Sequence, residues 1–597
     1  MNNYDVTFYF LDLEVNNTSI DLSGCVTVQA VLVNPETDTL VLELIDEVTV
    51  DSVLLDGDNL PFSHSDDFVI FALPPGYQEE DLLEMKVFYN ITGIETNRRL
   101  GIFNRETSDG KQVTYTLSEP YYAKTWFPCK QVLSDKADSV YVFLTMADTL
   151  MAGSNGLLTH VEPLGNDRKR YEWKSYYPVA YYLPSFSVAN YMDYSFMASA
   201  GDGDSVLIQN YIYNDSIYFL KNKEDIDATA DIMEVFSEAM GPYPFRKEKY
   251  GHCISPLGGG MEHQTMTTLG NFSFELVAHE LAHQWYGDYV TCVDWQNIWI
   301  NEGFASYGEY IAIERLRSED EAVNWLVYAH DLAMSSQNSS IFVPKSELEN
   351  VSRIFDYSLT YRKGASIIHM IRHEVGDELF FNILRQFLND YSDSVATADD
   401  FKNTAEQVSG WDFDVFFQQW FYGTGYPVLD VAWESRNDSL YIYLDQTGSD
   451  PSGTPFFNIL VDFKIEYFGG DTLVQFRQEN ASETFVMPFQ ERVFRITPDP
   501  DDWLLREIRG VYRILPDTSV HYHMFPNPAE NIVYIEHYKI GLPFSVKIYN
   551  LNGILLRETE ERGVFAEMDL SDLSAGIYNV VVSDDNGHKE IFQLVKL

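Results

Sequence analysis

The chain begins with short runs in which apolar and polar positions alternate. Val26, Val28 and Ala30 are interleaved with Thr27 and Gln29, and Val87, Tyr89 and Ile91 with Phe88 and Asn90. A period of two is that of a half-buried strand, and the Gly, Pro, Asp and Asn clusters between the runs supply turns. The first two hundred residues therefore predict a large β-sheet or sandwich. The texture changes after the turn AGDGD, Ala200 to Asp204. Ile226, Ala230, Met233, Phe236 and Met240 recur at helical spacing, and Gly241-Pro242 ends that helix. Helical patterns then dominate from about Phe274 to Phe421, in FELVAHELAHQWYG, EGFASYGEYIAIERLR, EAVNWLVYAHDLAMSS and KGASIIHMIRHEVG. Alternation returns in LYIYLDQ, NILVDFKIEYF and ETFVMPF, through about residue 508, and after a linker with Pro and Asp, MFPNPAENIVYIEH opens a last small β unit. The expected architecture is multidomain α+β: an N-terminal β domain over 1–196, a mainly α domain over 197–426, a β-sandwich over 427–510 and a small β domain over 520–597.

Composition narrows the partners. The 597 residues are 45% apolar and 22% charged, which is globular usage with enough chain for several cores. Forty basic against 91 acidic residues leave a formal charge of −51, a field that repels phosphate backbones and anionic lipid and argues against nucleic acid as a ligand. Cys25, Cys129, Cys253 and Cys292 lie far apart with no CxxC pair, so neither a cysteine zinc site nor a disulfide framework is expected. No run approaches the 18 apolar residues of a membrane-spanning helix, and MNNYDVTFYFLDLEV reads as lacking a signal peptide.

The strongest chemistry lies in VAHELAHQW. His279 and His283 are four apart, so on a helix they project from one face, and zinc favours such a pair of imidazoles. Glu280, beside the first, is placed to take a proton from a metal-activated water. Catalytic zinc takes three protein ligands, and Glu302, in the second helical pattern WINEGFASYGEY, supplies a third. Glu309 lies two turns further along that face, where it could support a ligand; in so acidic a chain it reads instead as a solvated position and is left out of the site. Glu262 follows Gly258-Gly259-Gly260-Met261, glycines that let backbone approach a ligand.

With these residues in place the chain resembles the M1 family of zinc aminopeptidases, the gluzincins whose HExxH is followed by eighteen residues and Glu. The resemblance includes SEPYYAKTWFPC at 118–129, GPYPF at 241–245, GGMEH at 259–263, HELAHQWYGD at 279–288, WINEGFASY at 299–307, YRKGAS at 361–366 and WFYGTGYP at 420–427. It implies a thermolysin-like catalytic domain and one Zn2+ per chain, held by His279, His283 and Glu302, with Glu280 as general base. It further implies that Tyr361 steadies the tetrahedral intermediate. Glu262, with Glu119, would bind the free α-amino group of a peptide, and Gly259 and Gly260 would line the substrate. His263 stands where the family usually has Asn, and Asp294 where many members have the first of two tryptophans. The large helical C-terminal domain of longer members is not seen, which implies a site that is more open or closed by something else.

Residues 525–597 resemble a second family, the type IX secretion C-terminal sorting domain of Bacteroidota-type bacteria, through FPNPAEN, VKIYNLNG, LSAGIYNVVV and KEIFQLVKL. That resemblance implies passage across the outer membrane, the secretion machinery as partner, and a secreted or cell-surface protein. The expected function is a secreted zinc-dependent aminopeptidase acting on peptides with a free N-terminus. The alternatives are an epoxide hydrolase or endopeptidase on the same site, or a non-catalytic surface-binding protein; the full set of ligands and base speaks against the last.

Overall fold

The computed structural model describes residues 3–93, 101–467, 469–514, 521–537, 543–562 and 565–597. These form two compact units, one of 1–430, 444–483 and 492–510, the other of 431–443, 484–491 and 511–597. The expected class, a multidomain chain with an N-terminal β region, a helical catalytic region and a C-terminal β domain, is the observed one. Part of the expected linker, 515–520, lies outside the described residues.

In the first unit the alternating runs build an eight-stranded sheet. Its central strand, Tyr4–Glu14, pairs antiparallel with Leu22–Leu32 and parallel with Ser139–Ala147. Val26, Val28, Ala30, Val87, Tyr89 and Ile91 are all buried, while Phe88, on the other face, is 38% exposed. Each large side chain so buried contributes about 1.5–3 kcal/mol, which sets the register of this sheet.

A second, five-stranded sheet runs in the order Tyr191–Gly201, Asp204–Tyr213, Lys249–Ile254, Thr267–Leu269, Gly260–Met261. The turn AGDGD closes the hairpin between its first two strands, with Asp202 and Gly203 at positive φ. The change of texture there is thus a hairpin, and residue 196 lies inside a strand where a domain boundary was expected.

Nine α-helices are found among the described residues: α1 Ser216–Met240, α2 Phe274–Ala282, α3 Trp299–Leu316, α4 Glu319–Ser335, α5 Val351–Ile354, α6 Gly364–Val375, α7 Asp377–Asp390, α8 Ala398–Ser409 and α9 Asp414–Trp420. Asp215 caps α1 through Ile217 N and Tyr218 N, and Gly241 at φ 102° ends it. The helix expected over 274–287 is shorter: α2 stops at Ala282, with His283 as its cap. Every residue of α3 from Trp299 to Ile313 is buried, which explains its lack of an amphipathic stripe. It can lie against its neighbours because two positions have no side chain. A Cβ on Gly308 would come within 2.6 Å of the Ala282 Cβ of α2, and one on Gly303 within 3.3 Å of the Gly364 backbone of α6. Later in this unit Ile459–Tyr467 is flanked by Gly470–Gln478 and Val493–Pro498.

The second unit ends in two packed sheets. One holds Tyr522–Phe525, Ile532–His537 and Phe565–Asp569; the other holds Leu555–Glu561, Phe544–Tyr549, Gly576–Asp584 and Lys589–Lys596. Val533, Ile535, Val546, Ile548, Val580, Val582 and Leu594 fill the space between them. No helix among the described residues is long and apolar enough to cross a membrane.

Candidate metal centre and active site

The crossing of α2 and α3 brings together the three residues chosen as ligands. His279 and His283 lie one turn apart with their rings edge to face, and their Nε2 atoms are 3.1 Å from each other. Glu302 Oε2 is 3.2 Å from His279 Nε2 and 3.4 Å from His283 Nε2. The other ring nitrogens are held: His279 Nδ1 donates to Glu309 Oε1 at 2.9 Å, and His283 Nδ1 to Tyr286 O at 3.0 Å. With those protons on Nδ1, both Nε2 lone pairs face the Glu302 carboxylate. Burial works against a charged His279, yet Glu302 and Glu309 draw its pKa up to about 10. Burial also opposes a charged Glu302, but His283 and His279 hold it down to about 2. The pocket calls for positive charge, and with a divalent ion in place of the ring protons its two imidazole nitrogens and one carboxylate make a donor set that fits zinc.

Glu309, read from the sequence as a solvated position, is buried and part of this arrangement. Its second oxygen accepts from Trp325 Nε1 at 2.9 Å and Arg362 Nη1 at 2.8 Å. The signal that could have found it was its spacing: two turns from Glu302, on the face that meets His279.

The loop carrying Glu262 is tied down by Gln284, just past α2. Gln284 Nε2 donates to Glu262 O at 3.2 Å and Asp288 Oδ2 at 2.8 Å, and its Oε1 accepts from Thr265 N at 2.9 Å. Gly259, at φ +88°, turns this loop, and Gly260 lies so close to Glu280 that an added Cβ would be 2.4 Å from Glu280 Oε1. Glu119 comes from the N-terminal β region, where Trp126 Nε1 bonds the neighbouring Ser118 Oγ at 2.9 Å. Glu262 and Glu280 are buried and Glu119 is partly buried, and each has one buried oxygen with no hydrogen-bond partner among the described residues. Burial raises all three carboxyls, Glu280 to about 8.

Tyr361 projects from a π-helical turn, Tyr357–Lys363, capped by Asp356 through Ser358 N and Leu359 N. Its ring stacks on His279 with centroids 5.8 Å apart. Burial, then the charge of Glu302, pushes the phenol well above its ordinary value, so it stays a proton donor. A cavity of about 480 Å3 is lined by all nine predicted residues: Glu119, Gly259, Gly260, Glu262, His279, Glu280, His283, Glu302 and Tyr361. Sequence reasoning missed Glu275, Phe355, Tyr357 and Arg362, which also line it. His263 is not among the lining residues; it is fully buried, with Nδ1 3.0 Å from Thr268 Oγ1. Asp294 caps a single turn before α3 by accepting from Gln296 N and Asn297 Nδ2, which accounts for a carboxylate at that position.

Fold and site together define a candidate metal centre in an acidic cavity, its prospective ligands drawn from α2, its cap and α3. In comparison with known proteins, residues 224–420 match the peptidase family M1 domain, and residues 523–596 match the secretion system C-terminal sorting domain. The chain is 25% identical to Aminopeptidase 2, mitochondrial, of Saccharomyces cerevisiae over 464 residues, which is 71% of this chain and 46% of the yeast protein. It is 26% identical to Glutamyl aminopeptidase of Rattus norvegicus, over 58% of this chain and 38% of the rat protein. The chain thus spans less than half the length of these relatives. An M1 zinc metallopeptidase from Deinococcus radiodurans has a similar fold, with a TM-score of 0.61 and 24% identity over 71% of this chain and 95% of that one.

Proposed function

We propose that the protein is a zinc-dependent aminopeptidase that removes the N-terminal residue of peptides outside the cell or at its surface. The observation that carries this is the pairing, in one cavity, of a fitted metal-ligand set with buried carboxylate oxygens that have no partner among the described residues. His279, His283 and Glu302 would hold zinc, which when bound supplies a Lewis acid for the scissile carbonyl and acidifies water. The chain's own groups do the rest. Glu262 and Glu119 receive the peptide's α-ammonium through charge-assisted hydrogen bonds, which fixes the register at the first residue. Glu280 takes the proton of the attacking water and passes it to the leaving amine. The Tyr361 phenol donates to the oxygen on which negative charge develops. The sorting domain at 523–596 supports export by a type IX secretion system, whose machinery would be its partner.

The test is one peptide in two forms, with a free and with an acetylated N-terminus, incubated with zinc-loaded protein and followed by mass spectrometry. Stepwise loss of residues from the free form alone is expected. Internal cuts in both forms would make it an endopeptidase and remove the amine-binding role of Glu262 and Glu119.

A further inference from the structure

Four of the chain's thirteen histidines lie beyond residue 520, and two of them meet at one buried carboxylate. We propose that the C-terminal β domain carries a divalent-metal site of its own, formed by His521, Asp584 and His588, that pins its two sheets together. His521 directly precedes Tyr522–Phe525 of the three-stranded sheet. Asp584 ends Gly576–Asp584, and His588 directly precedes Lys589–Lys596, so both belong to a hairpin of the four-stranded sheet. One potential ligand atom from each residue lies within 4.8 Å of the others.

The hairpin turn accounts for only part of this arrangement. Asp584 Oδ1 accepts from Asn586 N at 2.9 Å and His588 N at 3.0 Å, an ordinary use of Asp in a turn. That use needs neither imidazole. Yet Asp584 Oδ2 lies 3.0 Å from His588 Nδ1 and 3.7 Å from His537 Nε2, its side chain fully buried. The His521 and His588 rings lie tilted with centroids 4.0 Å apart, and His521 Nδ1 is buried with no hydrogen-bond partner among the described residues. The turn thus leaves a buried ring nitrogen unsatisfied beside the carboxylate. A divalent ion would satisfy it, taking a nitrogen from each ring and an oxygen from Asp584.

Two imidazoles and one carboxylate suit zinc, or another divalent metal that favours nitrogen. The His588 side chain is 39% exposed, which gives the ion a route in and leaves room for water as a further ligand. The formal charge of −51 favours enrichment of divalent cations near the protein. Because the ligands come from both sheets, binding would be coupled to folding of the domain.

The full-length chain is stripped with a chelator, equilibrated with buffered Zn2+ as the only metal, and its zinc counted by elemental mass spectrometry. About two ions per chain are expected. His521→Gln with His588→Gln should leave one, with peptide cleavage unchanged, while His279→Ala with His283→Ala should leave the other. Melting of the sorting domain should rise with zinc in the wild type and lose that response in His588→Gln, a half-exposed position whose replacement spares the core. A single ion lost only with His279 and His283, or two ions that survive the tail substitutions, overturns the proposal. A single ion lost only with His588 supports it and instead removes the aminopeptidase reading.

Discussion

The two walls of the cavity are built in opposite ways. On the metal wall both histidine ligands are tied from behind: His279 by Glu309, His283 by the Tyr286 carbonyl, and Glu309 in turn by Arg362 and Trp325. On the other, substrate-facing wall we group Glu119 and Glu262 with Glu280, which shares α2 with His279; each keeps a buried oxygen with no hydrogen-bond partner among the described residues. A buried polar atom without a partner costs about 1–3 kcal/mol. The difference separates positioning from recognition. The metal wall spends its hydrogen bonds on holding geometry, while the other wall withholds them for groups that arrive with a substrate.

The largest break in that comparison is Glu280→Gln. It keeps the volume and leaves every ligand in place, so zinc content should be unchanged while turnover falls about 1000-fold. Zinc content by elemental analysis and kcat on a free-amine peptide check both halves; retained turnover with zinc bound would remove Glu280 as the base. Gly260→Ala attacks the same carboxylate from the neighbouring loop. Its Cβ would sit 2.4 Å from Glu280 Oε1, and moving the base by about 1 Å should cost about 100-fold in kcat with the fold intact.

On the amine side, Glu262→Gln should lower kcat/KM for free-amine peptides about 10- to 100-fold, the worth of one hydrogen bond to a charged group. It should spare zinc affinity. Glu309→Gln should do the reverse, weakening zinc binding about 10- to 100-fold by competition with a chelator, while the metal-saturated enzyme keeps most of its kcat/KM. If the two substitutions behaved alike, the separation of the walls would be wrong.

How much of this could be read beforehand varied with the kind of signal. HExxH and the later Glu were legible because helix spacing alone puts His279 and His283 on one face. The alternating runs were legible because a sheet buries every second residue, as Val87, Tyr89 and Ile91 show. Glu119 and Tyr361 were named only through the family resemblance, since they reach the cavity from a β-region loop and a π-helical turn with no periodicity pointing there. Glu309 was misread because a carboxylate on a helix is usually solvated, whereas here the helix is buried on all sides. The turn residues at Asp202–Gly203 marked a change of texture, and the structure makes them the turn of a hairpin.

The smallest expected effect on catalysis is at His263, behind the amine wall. Its ring is fully buried and bonded to Thr268, and burial lowers its pKa from 6.5 to about 3. In the unfolded chain the same histidine takes a proton near pH 6.5, while the folded protein refuses it until about pH 3. Its contribution to stability is therefore complete above pH 6.5 and is lost progressively as the pH falls toward 3. His263→Asn, which restores the residue usual in the family, removes that proton uptake. Between pH 6 and 4 the stability of the variant should fall less steeply than that of the wild type by about 1.4 kcal/mol per pH unit. Denaturant titrations across that range measure the slopes, and groups common to both proteins cancel. Since His263 does not line the cavity, kcat/KM at neutral pH should stay the same. A large loss of kcat/KM in His263→Asn, with the slope unchanged, would mean that this imidazole serves the substrate and belongs to the amine wall after all.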